Sequence, residues 1–277
     1  MRHQRSDLQL LALWTKARIK LLLRTRRAAF FTFVFPLIFL LLFNALNGGN
    51  HVQTDAGRLT FAQYFTPSIA IFGLTTSCYT GVIFAVATAR ERGVLKRVRS
   101  TPLPPWVYLG AMIAGVIVSG VASVLLMFAV GIPVFDVHIY PRLLPAAIVT
   151  LLIGGLALAS LGLAVSTMVD KAESAPAVAN LTLLPLTFIS GVFYPMHGAP
   201  QWLRSVANVF PLAHIVDAFD ACFSPVTKGL GFSWGDLGVC VLWGIAGARI
   251  AQKRFRFEPA AGADVPPRRL AFGRRSG

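Results

Sequence analysis

Charge is what this sequence has least of. Only 13% of its 277 residues are Asp, Glu, Lys or Arg, against a soluble average of about 25%, while 55% are hydrophobic. A chain so short of charge cannot clothe itself in a water-facing surface, which excludes a soluble globular protein. Acidic residues are scarcer still, 11 against 26 lysines and arginines. Cysteine is nearly absent: Cys78, Cys222 and Cys240 sit in or beside apolar stretches at spacings that fit neither a zinc site nor a disulfide framework. No glycine stands directly before any lysine, so the Gly-x-x-x-x-Gly-Lys loop that cradles nucleotide phosphates is missing. No polar segment is long enough to fold as an ATPase.

What the chain does have is long apolar runs. A spanning helix needs roughly 20 mostly apolar residues. The runs predict an all-α polytopic membrane protein of six spans: Ala28 to Asn47, Tyr64 to Ala89, Val107 to Gly131, Leu143 to Met168, Ser174 to Phe193 and Leu237 to Ala251. The last is short, reaching only about 22 Å at 1.5 Å per residue against a core of roughly 30 Å. The first is not a cleaved signal peptide, because a long basic segment precedes it and no small-residue cleavage site follows Phe43. The domain reading is a basic N-terminal segment, 1–27, a membrane domain, 28–251, and a basic tail, 252–277.

The basic residues are not spread evenly over the connecting segments. One side of the membrane carries 22 of the 26, leaving Arg58, Arg142, Arg204 and Lys228 on the other. That asymmetry predicts a multi-pass protein of the cell (plasma or inner) membrane with both termini in the cytoplasm. It also accounts for the net charge of +15 without nucleic acid, for which no recognition module exists. Ahead of the first span, Lys16, Lys20, Arg24 and Arg27 share one helical face opposite Leu11, Trp14, Leu21 and Leu22, as in an amphipathic helix lying along the inner leaflet.

Five of the positive charges fall in one cytoplasmic loop, 90–106, "RERGVLKRVRSTPLPPW". On a helical wheel Glu91, Val94, Leu95 and Val98 form a stripe, with Arg92, Lys96, Arg97 and Arg99 around the rest. The neighbours of Glu91 at three and four positions on are Val94 and Leu95, so its carboxylate has no intrahelical cation and should find a partner elsewhere. Pro102, Pro104 and Pro105 then make a stiff elbow. A short rigid helix outside the membrane reads as a handle for another protein.

In this loop Glu91, Gly93, Leu95, Arg97, Thr101 and Pro102 resemble the cytoplasmic loop of permease subunits of type 2 ABC exporters, the group that includes daunorubicin-resistance, nodulation-factor and polysaccharide export permeases. The stretch 188–219 is similar to the family's signature after the fifth span, with Ser190, Gly191, Phe193, Pro195, Pro200, Trp202, Leu203, Asn208, Pro211 and Leu212 in matching places. The ending "RFRFEP", Arg254 to Pro259, resembles the family's basic aromatic tail.

The resemblance implies a permease subunit, not an enzyme, that exports an amphipathic drug, lipid or glycan. It also implies a dimer of permease chains, identical or not, on two cytoplasmic ATPase subunits. No cofactor is then bound here, and ATP and magnesium belong to the partner. The coupling residues it implies are Glu91, Gly93, Val94, Leu95, Arg97, Val98, Thr101 and Pro102. Those of an outer gate, in and just before the region 194–220, are Ser190, Gly191, Phe193, Pro195, Trp202 and Pro211.

That outer region alternates aromatics with prolines and is too broken to span. Two short re-entrant helices, Pro200 to Asn208 and Pro211 to Phe219, are expected there, dipping into the outer leaflet.

Two rival classes remain. An ion-coupled carrier needs ionisable groups within its spans, and the first five have none in their interior. Their polar residues are Asn44, Thr75, Thr76, Ser77, Asn180, Thr182 and Thr187. Asn44, Thr76, Asn180 and Thr187 are candidates for a neutral substrate path, although such residues more often bond to helix backbone. A membrane-embedded lipid-modifying enzyme would have to use Asp217 and Asp220, the one acidic pair with suitable spacing, whose plainer reading is a helical edge facing water. His51, His138, His197 and His214 stand singly, and no metal site is expected.

Overall fold

The computed structural model describes residues 7–25, 29–47, 49–54, 57–100, 105–196 and 198–254. Thr101, Pro102, Pro104 and the tail beyond Arg254 lie outside them. Helix α1, Asp7–Arg24, precedes the first apolar helix, which opens with a π-helical turn at Phe30–Val34 and continues as α2, Phe35–Asn47. The second is continuous from Phe61 to Glu91. It comprises α3, Phe61–Thr75, a π-helical turn at Thr76–Thr80, and α4, Gly81–Glu91. Then come a short α5, Val94–Arg99, and the long α6, Pro105–Phe135. After α7, Leu144–Ser166, and α8, Ala175–Ile189, two short helices follow, α9, Gln201–Ala207, and α10, Pro211–Ala221. The last is α11, Trp234–Arg254.

Four of these helices are long and apolar enough to cross a membrane: Phe30–Asn47, Phe61–Glu91, Val107–Phe135 and Pro141–Ser166. The first four expected spans are therefore present, with the third four residues longer than its apolar run. The fifth is reduced to the 15 residues of α8, with Pro185 inside it, because Ser190 and the following turn end the helix. The last is longer than its sequence suggests: α11 has 21 residues, its ends carried outward by Asp236, Lys253 and Arg254.

Helix α3 with α4 is the hub. It is the most enclosed of the four, 72% buried against 22% for the first, and it packs against α2, α6 and α7, with α10 closing one end. Three of its polar side chains bond to helix backbone, as Thr75 and Thr76 donate to the carbonyls of Ile71 and Phe72, and Ser77 donates across to Val116. Helix α1 lies along α6, with Trp14 edge-on to Tyr108 at 5.8 Å, so at least that side chain rests on the bundle.

The glycines of α11 explain how so poorly apolar a helix is held. It packs on α7 more extensively than any other helix pair. At Gly247 a Cβ would stand 2.9 Å from the Leu161 nitrogen and the Ser160 carbonyl carbon. Only glycine allows that approach, the small-residue packing that joins helices in a bilayer, where apolar burial gives little drive between them.

The sequence did not announce a hairpin between the first two spans. His51–Thr54 and Gly57–Thr60 pair antiparallel, with Val52 opposite Leu59. Each strand holds one large apolar residue in four, too little alternation to reveal it. Thr60 then caps α3, accepting the Gln63 N–H.

Candidate functional site

The loop 90–106 starts where α4 ends. Gly93 takes a left-handed conformation, φ 65°, with open space around it. Its role is therefore the turn: the N–H of Gly93 bonds to the Arg90 carbonyl, α4 stops, and α5 restarts at once. The turn folds α5 back so that Leu95 and Val98, 1% and 7% exposed, pack with Ala89 and Tyr108, flanked by Val94 and Leu109. The stripe that the sequence offers as a contact surface is thus taken up inside the chain, since the same apolar residues that suit a groove also suit the flank of α6. Glu91, Arg92 and Arg97 stay exposed.

Two side chains tie this loop to the segment after α7. Arg90 is 5% exposed, and its Nη1 donates to the Val169 carbonyl at 2.8 Å and the Ser166 carbonyl at 3.3 Å. It thereby takes up the Val169 carbonyl beyond the end of α7 and adds a second donor to the Ser166 carbonyl, which also accepts the Val169 N–H. Glu91 Oε2 accepts the Ala172 N–H at 3.1 Å, at the start of a 3₁₀ turn, Ala172–Ser174, that leads into α8. The missing partner of Glu91 is therefore supplied, for one oxygen, by a backbone N–H of its own chain. In the sequence Arg90 counts only toward the charge asymmetry. The signal was there: Ile83, Val86 and Ala87 put it on the buried face of α4.

At the opposite end of the bundle, α9 and α10 occupy nearly the ranges expected of the two short helices. Ser190, Phe193 and Pro211 are buried, Gly191 accepts a hydrogen bond from the Tyr64 hydroxyl, and Trp202 is 67% exposed. Phe193 sits among Phe39, Phe72 and Phe188. Gln63, 7% exposed, fastens this end: its amide donates to the carbonyls of His138 and Phe223 and accepts from the His138 N–H.

His214 of α10 bonds to the Asp236 carboxylate at 2.7 Å and to the Asn208 carbonyl at 2.9 Å. Both partners are acceptors, so both ring nitrogens donate and the imidazolium is the form that fits. Burial pulls its pKa down, but the bonds to Asp236 and Asn208 and the charges of Asp236 and Asp217 outweigh it, and the net direction is up.

The acidic pair does not form one wet edge. Asp217 is exposed, whereas Asp220 turns inward and accepts the Ser68 hydroxyl of α3 at 2.8 Å. Both line a cavity of about 530 Å³ under α9 and α10, with Pro195, Gln63 and Tyr64. Burial drives the Asp220 carboxyl well above the usual range, the Ser68 bond opposes this, and Asp217 adds to it. The neutral path residues are not gathered there. Asn44 is buried without a hydrogen-bond partner, Thr187 donates to the Leu183 carbonyl, Thr76 is half-buried, and Asn180 is exposed on α8.

The family profile described as ABC-2 type transporter matches residues 9–223, which takes in the basic loop, the hub and both short helices. The chain belongs to this family. YvfS of Bacillus subtilis, whose name describes a transport permease, is 24% identical over 72% of this chain and 79% of its own length. The daunorubicin resistance ABC transporter permease protein of Streptomyces coeruleorubidus is 24% identical over 66% of this chain and 64% of its own. YbhR of Escherichia coli is longer: the match, also 24% identical, covers 58% of this chain but 43% of that protein. Family membership and the apolar helices make this a multi-pass membrane protein, a transport permease rather than a catalytic enzyme. An ABC-2 permease implies in general an ABC ATPase as partner.

Proposed function

We propose that the chain is the membrane-spanning subunit of an ATP-driven exporter, working as a dimer of permease chains on two cytoplasmic ATPase subunits. Its cargo is an amphipathic drug, lipid or glycan taken from the cytoplasm or inner leaflet. On this reading six helices cross the membrane, α8 and α11 being the fifth and sixth, and both termini are cytoplasmic. Helices α9 and α10 re-enter the outer leaflet, with Ser190, Gly191, Phe193, Pro195, Trp202 and Pro211 around the exit.

The observation that carries the reading is the seating of α5. A loop serving only to place positive charge needs no buried face and no latch. Here Leu95 and Val98 fix α5 to the bundle, and Arg90 and Glu91 fix its root to the segment before α8. A push on α5 therefore reaches α4, α6 and α8 together. Glu91, Arg92 and Arg97 are the groups offered to an ATPase groove. Gly93 sets the angle and Val94 packs beside Leu95, while Thr101 and Pro102, which the resemblance adds to the coupling set, lie outside the described residues. Loss of the co-purifying ATPase from an Arg92→Glu, Arg97→Glu double variant tests this assignment.

A further inference from the structure

The cavity under α9 and α10 holds a carboxyl group whose hydrogen bonding the protein leaves incomplete. Asp220 Oδ2 accepts the Ser68 hydroxyl, but Oδ1, shielded from solvent, has no hydrogen-bond partner. A buried carboxylate oxygen without a donor is costly, and such groups are ordinarily paired or hydrogen-bonded. The lining around it carries Asp217 as a second carboxylate and Arg204 as a guanidinium, so the acidic groups outnumber the basic one. The rest is mixed: Pro195, Met196 and Val216 give it an apolar wall. A cavity of this size, with polar groups converging beside an apolar wall, has room for the polar head and the hydrocarbon part of a small molecule.

We infer that this cavity binds the ammonium group of a cationic amphiphile, with Asp220 as its principal acceptor, Asp217 adding negative charge at the entrance, and the apolar wall taking the hydrocarbon part. An ammonium donates up to three hydrogen bonds and brings a positive charge beside which Asp220 can ionise despite its burial. A neutral hydroxyl of the same size supplies a donor without the charge. The inference deepens the export reading by naming the charge of one class of cargo, and it depends on that reading only for the direction of movement. Binding is measured without the ATPase.

The probe is 2-(2-naphthyl)ethylamine, compared with 2-(2-naphthyl)ethanol. Each is titrated against the full-length chain in phosphatidylcholine nanodiscs, with empty nanodiscs subtracted and naphthalene fluorescence as the readout. The wild type is expected to bind the amine saturably and at least about tenfold more tightly than the alcohol, as a charge-assisted bond replaces a neutral one. Asp220→Asn should abolish that preference, Asp217→Asn should reduce it, and Asp136→Asn, at an exposed carboxylate outside the cavity, should leave it intact. The wild-type comparison stands even where Asp220→Asn fails to fold. Equal affinity for the two probes, no saturable binding of the amine, or a preference that survives in folded Asp220→Asn overturns the inference. Any of these results leaves ATPase association untouched, so the export reading would stand or fall separately.

Discussion

Arg90 donates to the Val169 carbonyl at 2.8 Å, and so joins the last turn of the second apolar helix to the segment that follows α7. The bond is long-range in sequence and almost closed to water, which makes it a strut instead of a surface contact. Hydrogen bonds to charged groups contribute about 1.5–3 kcal/mol each. Arg90→Met should therefore lower the unfolding temperature of the detergent-solubilised chain and speed amide exchange over residues 167–174. Arg90→Lys, lacking the planar fork, should recover only part of the loss. Unchanged exchange in Arg90→Met would show that the strut carries no constraint.

The contact between α11 and α7 makes a prediction about size alone. Gly247→Val places new atoms where the Ser160 and Leu161 backbone already lies. Forcing such a contact apart costs about 1–3 kcal/mol. A less stable, partly aggregated product is expected by thermal melting and size exclusion. Gly238→Ala meets nothing within 4 Å, and should change stability by less than about 1 kcal/mol, in the favourable direction.

His214 gives the far end a pH dependence of definite sign. Its folded pKa is raised, so its stabilising contribution is fully present below the unfolded value of about 6.5 and is lost as pH rises through the raised one. The wild type should lose stability across that window relative to His214→Gln, which carries no titrating group there. Parallel pH profiles for the two proteins would contradict the imidazolium assignment.

Orientation follows from the division of basic residues. A reporter placed near Arg99 or fused after Gly277 should behave as cytoplasmic, and one near Asn50 or Gly198 as external. An external Gly277 fusion would remove α11 from the list of spans.

The first four apolar helices and the two short helices near the far end were legible because their signals are local: run length, flanking charge, and proline at a helix start. The end of α8 was less so, since an apolar run continues past Ser190 while the backbone turns away. What the sequence could not show is which partner a side chain takes. Glu91 reads as unpaired because its helical neighbours are apolar, and the Ala172 N–H that meets it comes from a distant segment. Leu95 and Val98 read equally well as a surface for another protein or as the underside of a helix, because hydrophobicity has no direction. Asp220 differs from Asp217 only through Ser68, which lies on α3.

The central claim is that the exposed face of α5, with the turn that precedes it, holds the ATPase. Its most direct test is co-purification of the cognate ABC ATPase with the full-length chain at physiological ionic strength. Arg92→Glu with Arg97→Glu reverses the exposed charge without touching the buried stripe, so the double variant should insert and fold normally yet lose most of the bound ATPase. The wild-type complex should loosen in high salt, as exposed charge contacts are screened. Wild-type recovery of the ATPase by the folded double variant, at every salt concentration, would contradict the account and reduce this loop to a connector that orients the chain in its membrane.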